Sequence, residues 1–91
     1  MRIASGEIPG IAQTAEDLLY AEARAFRTSI DFAKQNNLTS WLRAFDNYTD
    51  YELIEAIYGT AGYRAKAVSL NGNQLLTQQQ LDAVLARMSP P

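Results

Sequence analysis

Apolar residues recur along most of this chain with the period of a helix. Ala15, Leu19, Ala23, Phe26, Ile30 and Ala33 follow one another at spacings of three and four, the stripe of an amphipathic helix, and Leu18 widens it. Thr14 stands where an N-cap belongs. Glu16 and Asp17 fall in the first turn, where the helix dipole favours negative charge. Asn36-Asn37 ends the pattern, which predicts a helix over 14–36. On its outer side Arg27 with Asp31 and Asp31 with Lys34 are placed to pair, for about 0.2–0.5 kcal/mol each.

A short second helix is predicted over 39–47, capped by Thr39 or Ser40, with Leu38, Trp41, Leu42 and Phe45 as its apolar side and Asp46-Asn47 as its end. Thr49 opens a third with a capping box: its hydroxyl reaches the amide of Glu52, whose carboxylate reaches back. Tyr48 and Leu53 stand at the staple positions. The same double signature recurs at Thr77, with Gln80, Leu76 and Leu81 in the equivalent places. Leu81, Val84, Leu85 and Met88 then form the inner face of a helix over 77–88, which Pro90-Pro91 stops.

Residues 59–76 admit two readings. With a helical period, Ile54, Ile57, Ala61, Ala65 and Val68 carry one stripe through Gly59 and Gly62, and Asn71-Gly72 is a C-cap. In that reading Gly59, Ala61, Gly62 and Ala65 offer a second backbone an unusually close approach. With period two, Tyr63, Ala65 and Ala67 alternate with Arg64 and Lys66, and Asn71-Gly72 turns a hairpin. Each Gly costs a helix about 1 kcal/mol, and Ala is a poor strand residue. The helical reading leads. The expected fold is all-α, a small irregular four-helix domain with helices at 14–36, 39–47, 50–70 and 77–88. The alternative is α+β, with one short hairpin at 63–76.

Residues 1–13 contain Gly6, Pro9 and Gly10 and no sustained period, so they read as an extended arm ahead of a helical body at 14–88. Ile3, Ile8 and Ile11 are unusual in a solvated tail and suit an arm that docks on a neighbour. Ninety-one residues, 47% of them apolar, make one domain, 1–91. Such a chain buries only about 60–65% of the surface its unfolded form exposes. Small domains make up that deficit with disulfides, metal or self-association. The chain has neither Cys nor His, which leaves self-association and the expectation of a homo-oligomer. Uninterrupted apolar runs reach only four residues, so no membrane partner is expected. The first residues do not read as a secretory signal, and the expected location is cytoplasmic, the host cytoplasm for a virally encoded protein.

The lack of imidazole and thiol removes most routes to acid–base or nucleophilic catalysis near neutral pH, and neither a cofactor nor a metal is expected. The run Asp46-Asn47-Tyr48-Thr49-Asp50-Tyr51-Glu52 begins like a calcium loop. However, Tyr51 stands where the sharp-turn Gly belongs and Ile57 where a bidentate Glu is needed, so it reads as a turn and a cap. Ten acidic residues against eight basic give a net charge of −2, which does not favour nucleic acid. Arg64 and Lys66 are candidates for a small-anion or nucleotide site. The most informative feature is aromatic: Trp41, Phe45, Tyr48, Tyr51, Tyr58 and Tyr63 crowd one stretch. A thin core has trouble enclosing all six, and Tyr and Trp are enriched in interface cores. Trp41, Tyr48, Tyr51, Tyr58 and Tyr63 are therefore the candidate partner-binding residues.

The segment Gly62-Tyr-Arg-Ala-Lys-Ala-Val-Ser-Leu-Asn-Gly72, followed by Leu75-Leu76-Thr77 and a Gln-rich helix start, resembles the small head–tail joining proteins of lambda-like phages. The resemblance runs from Tyr51 to Met88 and implies a short basic hairpin and a virion structural role. Trp41–Phe45 has no counterpart in that pattern. From the residues themselves the expected function is a non-catalytic protein–protein interaction module, of the kind encoded as a small viral or accessory inhibitor.

Overall fold

The computed structural model describes residues 13–88, and over them the chain is all-α. Four α-helices, α1 (Ala15–Gln35), α2 (Asp50–Gly59), α3 (Ala61–Leu70) and α4 (Gln78–Met88), are joined by a 3-10 helix at Trp41–Phe45 between α1 and α2. The arm and its three isoleucines, and Pro90-Pro91, lie outside the described residues, except that Gln13 is described.

Helix α1 is the axis against which every other element packs. The predicted stripe explains why. Ala15, Leu19, Ala23, Ile30 and Ala33 are all buried, and Phe26 is half-buried beside them. The alanines keep the helix surface low, so neighbours approach closely, and the large residues fill the space between. Leu53, Ile54, Ile57 and Tyr58 of α2, Ala67 of α3, and Leu81 and Val84 of α4 complete the core, with Leu76 ahead of α4. Fully burying a side chain such as Leu19, Ile30, Leu53, Ile54 or Val84 contributes about 1.5–3 kcal/mol.

The helix ends follow the sequence signals. Thr14 Oγ1 accepts from the Asp17 amide at 3.0 Å. Helix α1 closes with a Schellman turn: Asn37 takes a φ of 51°, and the amides of Leu38 and Asn37 donate to Ala33 and Lys34 carbonyls. Both capping boxes are formed, at Thr49 with Glu52 and at Thr77 with Gln80. Asp46-to-Glu52 is thus a turn and a cap: Arg43 binds Asp46, Arg27 binds Asp50, and Glu52 is spent on Thr49.

Two elements differ from expectation. The helix expected over 50–70 is two helices that meet at Thr60. That residue is extended, with φ −78° and ψ 126°. Its amide donates to the Ile57 carbonyl, its hydroxyl to that of Ala56, and its own carbonyl accepts from the Arg64 amide at 2.8 Å. Arg64 Nε donates to the Tyr58 carbonyl at 3.2 Å, so the break leaves few polar groups unmet. Gly59 lowers the cost of stopping there. The stripe does not cross the break: Ala61 and Ala65 are exposed and Ala67 is buried instead. No other described part of the chain packs on the glycines: a methyl group added at Gly59 or Gly62 would meet nothing within 4 Å. Residues 63–70 are helical, and Asn71-Gly72 ends α3 with Gly72 at φ 66° and the Asn73 amide on the Val68 carbonyl. No strand occurs among the described residues, so the hairpin alternative is set aside.

The second difference is the segment expected as a helix over 39–47. It forms only a five-residue 3-10 turn, with Ser40 Oγ accepting from the Leu42 amide. None of its residues is buried.

Candidate functional site

The six clustered aromatics divide into two groups. Tyr58 belongs to the core. It is 7% exposed, and its hydroxyl accepts a 2.9 Å hydrogen bond from the Leu76 amide. Its ring is covered and its polar tip is satisfied inside, so of the five aromatics named as partner-binding it is the one placed in the core. Tyr51 is half-buried against the core, and its hydroxyl accepts from Gln78 Nε2 at 2.8 Å. Tyr63 is half-buried on the other flank. A hydrogen bond to the Glu22 carboxylate, that group's charge and some burial hold the Tyr63 phenol above its ordinary value of 10.0. Arg64 lies with its guanidinium 4.5 Å from the Tyr58 ring centroid and is engaged with α2. Arg64 and Lys66 are both exposed, with Arg64 Nε taken up by the Tyr58 carbonyl.

The other group is on the surface. Phe26, Trp41, Phe45 and Tyr48 form a chain of edge contacts, with centroids 6.0 Å apart for Phe26–Trp41, 6.1 Å for Trp41–Phe45 and 4.9 Å for Phe45–Tyr48. Trp41 is 67% exposed at its head and Tyr48 borders on exposed at its foot. Such contacts contribute about 0.5–1.5 kcal/mol each and fix the rings in place. The 3-10 helix that carries Trp41 and Phe45 is held by Arg43, which donates to Asp46 Oδ2 at 2.7 Å and to the Leu38 carbonyl at 3.2 Å. Arg27 ties the far end, donating to Asp50 at 3.0 Å and to the Tyr48 carbonyl at 2.7 Å.

Between this segment and the second half of α1 runs a groove. One depression, of about 360 Å³, lies among Thr28, Phe32, Leu38 and Ser40. A second, of about 200 Å³, lies among Ala25, Phe26 and Trp41. Ser29 and Leu42 border both. No charged side chain lines either depression. Phe32 is 59% exposed and Leu38 43%, so three large apolar side chains converge on one open face. Phe32 was not among the candidates read from the sequence. It falls between Ile30 and Ala33 but off the stripe they share, and a large aromatic off the core face is the signal that marks it.

The lining of this groove is apolar side chains interspersed with Thr and Ser hydroxyls. Among the described residues no group of three acidic side chains gathers as a metal-ligating cluster, and no helix is long and apolar enough to cross a membrane. No known protein family, curated protein or solved structure matches this chain.

Proposed function

We propose that this protein is a non-catalytic protein-binding module, and that the groove between α1 and the 3-10 helix is its contact face. One observation carries the reading: Trp41, Phe32 and Leu38 are exposed together, around depressions that no charge lines. Scattered apolar residues on a surface need no explanation, but a convergent set on a rigid frame marks an interaction site. Trp at the centre of such a set is the residue type that most often dominates binding energy. A small viral or accessory inhibitor would act in this way, by covering a surface of its target.

Of the residues singled out from the sequence, Trp41 and Tyr48 stay in this proposal. Tyr58 leaves it for the core, and Tyr51 and Tyr63 support the core from its flanks. The virion structural reading rested on a hairpin in the segment that is helix α3, and it is not carried forward. Self-association through the same face stays part of the proposal. Trp41→Ala and Phe32→Ala test the reading: each is expected to weaken partner capture at least tenfold, about 1.4 kcal/mol, with a smaller effect on folding.

A further inference from the structure

The break at Thr60 interrupts a helical pattern that the sequence carries through it, and one angle makes the break. The Thr60 φ of −78° lies within the α-helical range; its ψ of 126° alone departs from it. A turn of that ψ to about −42° fuses α2 and α3 into one helix over 50–70. We propose that Thr60 is a hinge for exchange between two copies of this chain. The fused helix carries α3 and α4 away from their own α1 and α2 and onto those of the second copy. The groove beside the 3-10 helix plays no part in this exchange.

The closed form leaves the start of α3 poorly satisfied. It has no side-chain cap, and the amides of Ala61, Gly62 and Tyr63 find no acceptor among the described residues. In a fused helix they meet the carbonyls of Ile57, Tyr58 and Gly59, in place of the Arg64 bond to the Tyr58 carbonyl. Helices α3 and α4 both pack on α1 and α2 and not on each other, so all their packing can be remade on a second copy. The Tyr58 hydroxyl with the Leu76 amide, and Asp17 with Arg87, then pair between copies.

The one new contact is the crossing of the two fused helices. Glu55, Gly59, Gly62 and Lys66, at spacings of four, three and four, share one face of such a helix. All four are exposed in the closed form, and neither Glu55 nor Lys66 has a hydrogen bond or ion pair among the described residues. Across a two-fold axis between positions 60 and 61, Gly59 faces Gly62 of the second copy and Glu55 faces its Lys66. The glycines allow a close crossing, and the symmetry makes the charge pair twice. The face is thus complementary to itself, which names a second copy as its occupant.

The test is to unfold the full chain in urea, refold it at high and at low concentration, and size it by chromatography with light scattering. Refolding at high concentration should trap a dimer that persists on dilution, because reversal requires α3 and α4 to leave the core. Chains carrying Asp17→Cys and Arg87→Cys are also refolded together and treated with a short bismaleimide. The chain has no thiol of its own, so exchange is read as a link between the two different chains. Ala61→Pro suits the closed form, since Pro is favoured at the first helical position and keeps Thr60 extended. In the fused helix the same ring meets the Ile57 carbonyl. This variant should stay folded by circular dichroism and lower the association constant by about a hundredfold or more. Glu55→Lys should lower it about fivefold, and adding Lys66→Glu should restore it. Trp41→Ala should leave the persistent dimer unchanged. A parent that refolds only as monomer overturns the exchange, as does a dimer without the mixed link or one as abundant in Ala61→Pro. So does a Glu55→Lys loss that Lys66→Glu fails to restore. A persistent dimer lost with Trp41→Ala also overturns it and assigns association to the groove.

Discussion

Tyr58 and Trp41 are both large aromatics, yet one is buried and the other exposed. Tyr58 joins α2 to the connection before α4 by its ring and by a hydroxyl that accepts from the Leu76 amide. Removing that oxygen in Tyr58→Phe leaves a buried N–H without its acceptor, and the expected loss is about 1–3 kcal/mol. Urea unfolding monitored by circular dichroism measures it. Trp41 is mostly exposed and meets only Phe26 and Phe45 in T-shaped ring contacts, so Trp41→Ala should cost about 1–2 kcal/mol. Ile30→Ala, at a fully buried position, should cost about 2–5 kcal/mol. A Trp41 variant as destabilised as the Ile30 variant would mean the indole is part of the core.

At the scale of elements, residues 59–62 hold the clearest prediction. Gly62 lies in the first turn of α3, its φ is not positive, and a methyl group there meets nothing within 4 Å. Gly62→Ala should therefore stabilise the protein by about 0.4–1 kcal/mol, by restricting the unfolded chain without straining the folded one. If this α3 turn needed glycine for a close approach, the same change would destabilise. Thr49→Ala, which removes a capping box, should cost about 1 kcal/mol. Helix starts were the most legible feature of the sequence, because a cap is local chemistry: Thr14, Thr49 and Thr77 announce themselves within four residues. The core face of α1 was equally legible from its period. The break at Thr60 was not. It depends on Arg64 reaching back to the Tyr58 carbonyl and on where Ala67 finds space, both of which are set by tertiary contacts. The site was half legible for the same reason. Composition shows that aromatics are in excess, but only the packing of α1 against α2 decides that Tyr58 goes inside and Trp41 stays out.

The whole molecule is held together by cross-ties as well as by its core. Arg87 on α4 binds Asp17 on α1 at 2.9 Å and stacks 4.1 Å from the Tyr20 ring centroid. Gln80 links Asn71, Thr77 and Glu16. The Arg87 hydrogen bond holds the Asp17 carboxyl below its ordinary value of 3.8; burial opposes this, while Thr14, the Arg87 charge and the Gln13 backbone add to it. A depressed carboxyl stabilises the fold fully above its unfolded value, and the contribution is lost as pH falls through the folded one. Both partners are substantially exposed, so the tie contributes about 0.2–1 kcal/mol after screening. Asp17→Asn should accordingly melt below the parent at pH 7, and the gap should close in acid below pH 3.8. A gap that widened in acid would contradict the assignment. For Tyr63 the sign reverses: its raised phenol contributes below pH 10.0 and loses that contribution as pH rises through the folded value.

The central claim is that the Trp41 face binds a protein and that this is separable from folding. Affinity capture from the native host, run side by side with the parent chain, Trp41→Ala and Tyr58→Phe and paired with melting curves, tests it most directly. The account predicts a specific protein retained by the parent and by Tyr58→Phe below its melting point, and lost from Trp41→Ala although that variant remains folded. Capture that survives Trp41→Ala, or that falls only in step with melting temperature across the three chains, would contradict it.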